Sequence, residues 1–282
     1  MYCTKSSTMI HDMSDSQLAP KDIHGLLNLL KAEDEKTLNL IAQQLKSFDA
    51  SSLKTLNELA KKSDDSCVVD NWYYVSKQSL KIALQEWKKK GDLEDGLFIL
   101  SRLENPGINE KPYKEKLEKL ASRVKENIKI DSSSKEIVKI INEVIFEEEN
   151  FAGNQIFYYD IKNNFLDSVI DTRTGNPITL SALYILVARR AGLDVRGIGT
   201  PGHFIVKHED TFIDPFFNGR EITSDECHIR AQELGVFWRD EYLEPIDDLA
   251  IISRSLRNLV SIYKRNKNYE KASDVSELIG IL

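Results

Sequence analysis

The chain has 282 residues, 41% hydrophobic and 29% charged, a globular composition with length for about two ordinary domains. Its formal net charge of −7 excludes a general nucleic-acid binder, because neutralising phosphates needs a basic face. No stretch approaches the roughly 18 uninterrupted apolar residues of a membrane span.

The cysteines, Cys3, Cys67 and Cys227, lie far apart and form neither a CxxC pair nor a Cys/His cluster. No metal and no cofactor is expected, and a reduced, cytoplasmic compartment follows. Residues 1–19 are polar and lack the apolar core of a signal peptide, so they are expected to be disordered.

Residues 20–90 read as helical hairpins. Apolar positions recur at helical spacing at Ile23, Leu26, Leu27 and Leu30, then at Leu38, Ile41, Ala42 and Leu45, then at Leu53, Leu56, Leu59 and Ala60. The acidic break Ala32-Glu33-Asp34-Glu35 resembles the turn of one HEAT-type hairpin. Trp72, Tyr73 and Tyr74 are expected to pack between helices, and Cys67 to be a small packing residue. Lys88-Lys89-Lys90 reads as a solvated helix end.

From residue 91 the helical period continues through Leu93, Leu97, Leu100 and Leu103, until Asn105-Pro106-Gly107 breaks it. A helix with Tyr113, Leu117, Leu120 and Val124 follows. After the turn and cap Ser132-Ser133-Ser134 comes an apolar face of Ile137, Ile140, Ile141, Val144 and Ile145.

Asn176-Pro177 then opens a helix, with Asn as N-cap and Pro at the first helical position. This helix buries Ile178, Leu183, Ile185, Leu186 and Ala188 and ends near Gly192. Two-residue alternation predicts a strand over 195–199 and a hairpin of 203–207 with 211–214. A turn centred between His208 and Glu209 would set 203 opposite 214, with Cβ atoms about 4.5–5.5 Å apart. His203 and Asp214 would then form the base and orienter of a nucleophilic triad.

Several segments resemble, in order, the SirB-type bacterial branch of the transglutaminase-like superfamily. They are Asn163 through Ile170, Arg173-Thr174-Gly175-Asn176-Pro177-Ile178-Thr179-Leu180-Ser181, Ala188 through Leu193, Pro201-Gly202-His203-Phe204 and Ile213-Asp214-Pro215-Phe216. The likeness covers roughly residues 93–264. The C-terminal pattern Arg257 through Tyr263 and Tyr269 through Ala272 resembles tetratricopeptide-type helices. The resemblance implies an α+β, papain-like domain at 91–245, with a central helix on a small antiparallel sheet. A helical region at 20–90 and a helical pair at 246–282 would flank it.

The resemblance further implies a Cys–His–Asp triad whose nucleophile opens the central helix, where helix N–H groups favour a thiolate. That position falls at about Pro177, which cannot act, while His203 and Asp214 match the other two. Replacement nucleophiles would be Cys227, Thr179 or Ser181. Arg173, Arg189, Arg190 and Arg220 read either as ion-pair partners or as receivers of an acidic ligand. The expected function is a non-catalytic regulatory protein that binds a protein partner, and neither nucleic acid nor membrane. The alternative is an amide or isopeptide hydrolase or acyltransferase with an unconventional nucleophile. In a third reading the helical ends do the work and the centre is scaffold.

Overall fold

The computed structural model describes residues 20–32, 34–89 and 91–282. The expectation for residues 1–19 and the position of Cys3 lie outside the described residues. Contacts divide the chain into two units, one ending at Ser79 and including Asn105–Ile108, the other comprising Leu80–Glu104 and Asn109–Leu282.

The first unit holds α1 (Pro20–Leu29), α2 (Glu35–Gln44), α3 (Ala50–Lys61) and the start of α4 (Ser66–Trp87). Asp34 and Asp49 cap α2 and α3 by accepting from backbone N–H groups two to three residues on. Leu30, Ile41, Leu56, Ala60, Trp72 and Val75 form its core, whereas Leu59 and Tyr73 are exposed. Trp72 Nε1 donates to Asn57 Oδ1 at 3.0 Å, and the amide of Asn71 reaches Cys67 Sγ at 3.3 Å. A Cβ on Gly107 would lie 2.4 Å from the Lys54 backbone nitrogen, so this glycine lets the 105–108 turn press onto α3.

The second unit continues with α5 (Leu93–Ser101), α6 (Lys111–Asn127), α7 (Ser134–Asn142), α8 (Leu166–Thr172), α9 (Pro177–Arg190), α10 (Ser224–Glu233), α11 (Asp248–Arg265) and α12 (Tyr269–Ile279). A π-helical turn, Glu143–Glu148, extends α7 and keeps Val144, Ile145 and Phe146 all inside. Strands β1 (Ala152–Gly153) and β2 (Thr174–Gly175) form a short parallel pair. The remaining strands, β3 (Val195–Ile198), β4 (Ile205–His208), β5 (Thr211–Asp214), β6 (Arg220–Glu221) and β7 (Pro245–Ile246), make one antiparallel sheet ordered β6-β5-β4-β3-β7. The architecture is α+β, as the sequence implies. The expected cut between 245 and 246 runs through β7.

Everything turns on α9. Asn176 caps it, Pro177 opens it, and every residue from Pro177 to Ala188 is buried. A helix apolar on all sides is a core helix, and α9 packs against α6, α8, α11, β3 and β4. It ends as the sequence predicts: Gly192, at φ 85°, donates to Arg189 O and Leu193 to Ala188 O, a Schellman pair that satisfies the last carbonyls.

One expectation needs correction. The hairpin turns on two residues, Glu209 and Asp210, with Glu209 at φ 49°, as a tight hairpin requires a positive φ at its first central residue. The register is therefore Lys207↔Phe212 and His208↔Thr211, and 203 is not opposite 214. Strand β4 also begins at Ile205 rather than at 203.

The Tyr184 hydroxyl, on α9 and enclosed, has no hydrogen-bond partner among the described residues, and burial raises its pKa. Removing a desolvated, unpaired hydroxyl should cost nothing. Tyr184→Phe is expected to leave the urea midpoint unchanged or raise stability by up to ~1 kcal/mol; a clear loss would reveal a hidden partner.

Candidate functional site

The register shift is by two residues, so it preserves the side-chain faces that a shift of one would have reversed. Continuing the observed pairing sets Asp214 opposite Ile205 and makes His203 its diagonal neighbour on the same face. The two side chains meet: His203 Nε2 lies 2.7 Å from Asp214 Oδ2, and both residues are buried. An ionised carboxylate can only accept, so Nε2 is the donor of this contact; in a neutral ring the lone pair would then fall to Nδ1. Asp214 Oδ1 accepts from Phe216 N–H at 3.2 Å, fixing the carboxylate from its other side. Phe216 and Phe217 flank the imidazole, each with its ring centroid 6.2 Å away.

Two buried asparagines, Asn176 and Asn164, and the half-buried Asn258 hold the neighbouring helix end. Asn176 Oδ1 accepts from the N–H groups of Ile178 (2.8 Å) and Thr179 (2.9 Å). Its amide donates to Asn164 Oδ1 at 2.7 Å, and Asn258 of α11 donates to the same oxygen, also at 2.7 Å. Arg254, one turn before Asn258, donates to the carbonyls of Gly199, Thr200 and His203. Burial, with Arg257 nearby, lowers its pKa. It locks the Thr200–His203 turn at the head of β4.

None of the candidate nucleophiles is hydrogen-bonded to His203 among the described residues. Ser181 Oγ donates to Phe204 O at 3.3 Å, and Thr179 Oγ1 to Asn176 Oδ1 at 3.3 Å. Cys227, on α10, is packed with Ile198, Ile205 and Ile222, beside Phe212, Trp238 and Leu243. Burial pushes its thiol up to about 11, so it is not an activated cysteine. His228 stacks on Trp238 at 5.2 Å. Of the four arginines singled out by sequence, Arg173 pairs with Glu149, Arg189 with Asp248, Arg190 with Glu94 and Arg220 with Glu226. They are ion-pair residues.

The sequence profile of the transglutaminase-like superfamily matches residues 111–257, more than half of the chain. The chain belongs to that superfamily. It is 35% identical to a UPF0162 protein of Xylella fastidiosa over 149 residues, 49% of this chain and 53% of that protein. A UPF0162 protein of Vibrio cholerae is 24% identical over 66% of this chain and 72% of its own length. F-box only protein 21 of Mus musculus is 27% identical over 51% of this chain, a quarter (25%) of that protein. The chain spans about half the length of the Xylella relative. No solved structure matches. Within the transglutaminase-like domain and the rest of the described residues, no helix is long and apolar enough to cross a membrane, and no cluster of His, Cys, Asp or Glu could hold a metal ion.

Sequence reading named the His203–Asp214 pair but missed Asn164, Asn258 and Arg254, whose partners lie far away in the chain. Helix α10 also went unread, although Thr223 and Glu226 form a capping box with the T-x-x-E signature.

Because Asn176 serves helix N–H groups that water does not reach, Asn176→Ala should cost at least ~2 kcal/mol of stability. Ser133→Ala, which removes the exposed cap of α7, should cost about 1 kcal/mol. Urea denaturation of both variants checks the ranking.

Proposed function

We propose that this protein is a non-catalytic member of the transglutaminase-like superfamily, of the SirB-type branch, that works in the cytoplasm by binding a protein partner. One observation carries the reading: a buried His203–Asp214 pair whose imidazole is bonded to no thiol or hydroxyl among the described residues, the Thr200 hydroxyl reaching only the His203 backbone carbonyl. The helix N-terminus where the resemblance places a nucleophile begins with the imino acid Pro177, and Asn176 before it is fully engaged in capping. A base needs its nucleophile within about 2.6–3.2 Å, and loss of a triad nucleophile removes most of the triad's rate enhancement.

The competing reading is a hydrolase or acyltransferase that uses Cys227. Its support is the nearness of Asp214, whose charge acts on the thiol, though it acts to raise the pKa further. Thiolate, not thiol, is the nucleophile, so environment and role conflict.

The test follows iodoacetamide labelling of the Cys227 peptide by mass spectrometry across pH, in the parent and in His203→Ala. Labelling should stay slow to about pH 9, climb toward pH 11, and be unaffected by the substitution. Rapid labelling near neutral pH that collapses in His203→Ala would mean a thiolate–imidazolium pair and an active enzyme.

A further inference from the structure

The arginines of the second unit fall into two groups. Every arginine from Arg102 to Arg220 has a carboxylate within ion-pair distance. Arg230, Arg239, Arg254, Arg257 and Arg265 have none among the described residues. In a chain of formal charge −7, a run of cations left without local acids is a feature to explain.

Three of them share one face of α11. At 100° per residue, Arg254, Arg257 and Arg265 fall with Asn258 and Ser261 inside an arc of about 100°. One end of this stripe is fixed at the His–Asp pair, where Arg254 holds the His203 carbonyl at 2.8 Å. At the other end the Arg265 guanidinium lies 3.8 Å from the Tyr159 ring centroid. Between the ends Asn258 bonds to Asn164, so the stripe runs beside the 157–164 segment.

That segment is apolar and open. Ile156 is 86% exposed, Phe157 68% and Tyr159 47%. A contiguous run of large exposed apolar side chains marks an interaction site more often than chance. It is also wired to the pair: Tyr159 packs edge-on against Tyr158, Tyr158 against Phe216, and Phe216 against the His203 ring. From Arg254 to Arg265 the helix advances about 16 Å, the length of roughly five residues of extended chain.

We propose that the α11 stripe and the 156–159 segment form a docking groove for an extended polypeptide segment rich in acidic and apolar residues. Arg257 and Arg265 receive its carboxylates, and Phe157 and Tyr159 its apolar side chains. The proposal rests on the protein-binding reading above and adds the chemistry of the partner. Peptide is favoured over nucleic acid because the exposed Ile156 beside the rings offers aliphatic surface that an apolar side chain covers and a phosphate backbone does not.

The test uses the full chain and a fluorescent peptide of alternating Glu and Leu, roughly eight residues long. Controls are a Lys/Leu peptide and a short oligothymidylate. The Glu/Leu peptide should bind at least about tenfold tighter than either control, and its affinity should fall as salt rises. Arg257→Glu with Arg265→Glu should weaken it about tenfold or more, and Phe157→Ala severalfold, while Lys135→Glu on the exposed face of α7 leaves it unchanged. Equal binding of the two peptides, tighter binding of the oligothymidylate, or indifference to the charge reversals would overturn the groove. Cys227 labelling on the same samples keeps the two readings apart. Slow labelling without peptide selectivity removes only the groove, and fast, His203-dependent labelling removes the non-catalytic reading whatever the peptide does.

Discussion

A helix buried on every side cannot send its first N–H groups to water, and α9 is such a helix. The two bonds from Ile178 and Thr179 to Asn176 Oδ1 are therefore the only local means of satisfying those donors. Once Asn176 is committed, its amide must also find an acceptor, which Asn164 provides; Asn164 Oδ1 in turn takes the amide of Asn258. One capping requirement thus fixes the 161–164 turn, the head of α9 and the middle of α11 relative to one another. The same stretch of α11 places Arg254 on the turn that aims His203. The geometry of the pair with Asp214 is downstream of a cap.

This also bears on what the site can do. The N-terminus of a helix suits an anionic nucleophile because its N–H groups and dipole lower a thiol's pKa. Here those groups are taken by a neutral side chain, and Pro177 brings no N–H of its own. The His203–Asp214 pair keeps the contact of a base with its orienting carboxylate, but on our reading it has no protein nucleophile to act on. Cys227 does not repair the loss. Its sulfur sits among isoleucines, where desolvation holds it as a neutral thiol, and Glu226 and Asp214 reinforce that.

Much of this was legible in the sequence wherever the determinant was local. Asn176-Pro177 and Gly192 bound α9 correctly because cap chemistry is read within a few residues. The His203–Asp214 contact was also readable, although through a register that proved wrong by two; faces repeat every two residues, so the error did not separate the pair. What stayed hidden depended on distance in the chain. Asn258 bonds to Asn164 across 94 residues, and no spacing rule connects them. Strands β6 and β7 are two residues each and exist because the sheet offers them partners, not because their own alternation demands it. The burial of Cys227 follows from α10 folding under the sheet, a tertiary event that its mixed local sequence does not announce.

The distribution of arginines carries the same logic to the surface. Among the ion pairs up to Arg220 some tie element to element: Arg189 to Asp248 and Arg190 to Glu94 each join α9 to a neighbouring segment. Individually such pairs contribute little where they are wet, yet they leave those cations unavailable to a ligand. Arg257 and Arg265 have no such tie, and Arg254, half inside, is satisfied by three carbonyls rather than by a charge. Burial lowers the pKa of Arg254, and repulsion from Arg257 on the same helix lowers it further. An acidic segment laid along the stripe would relieve that repulsion, and the buried His203–Asp214 pair at its end would then serve as part of the wall it binds against.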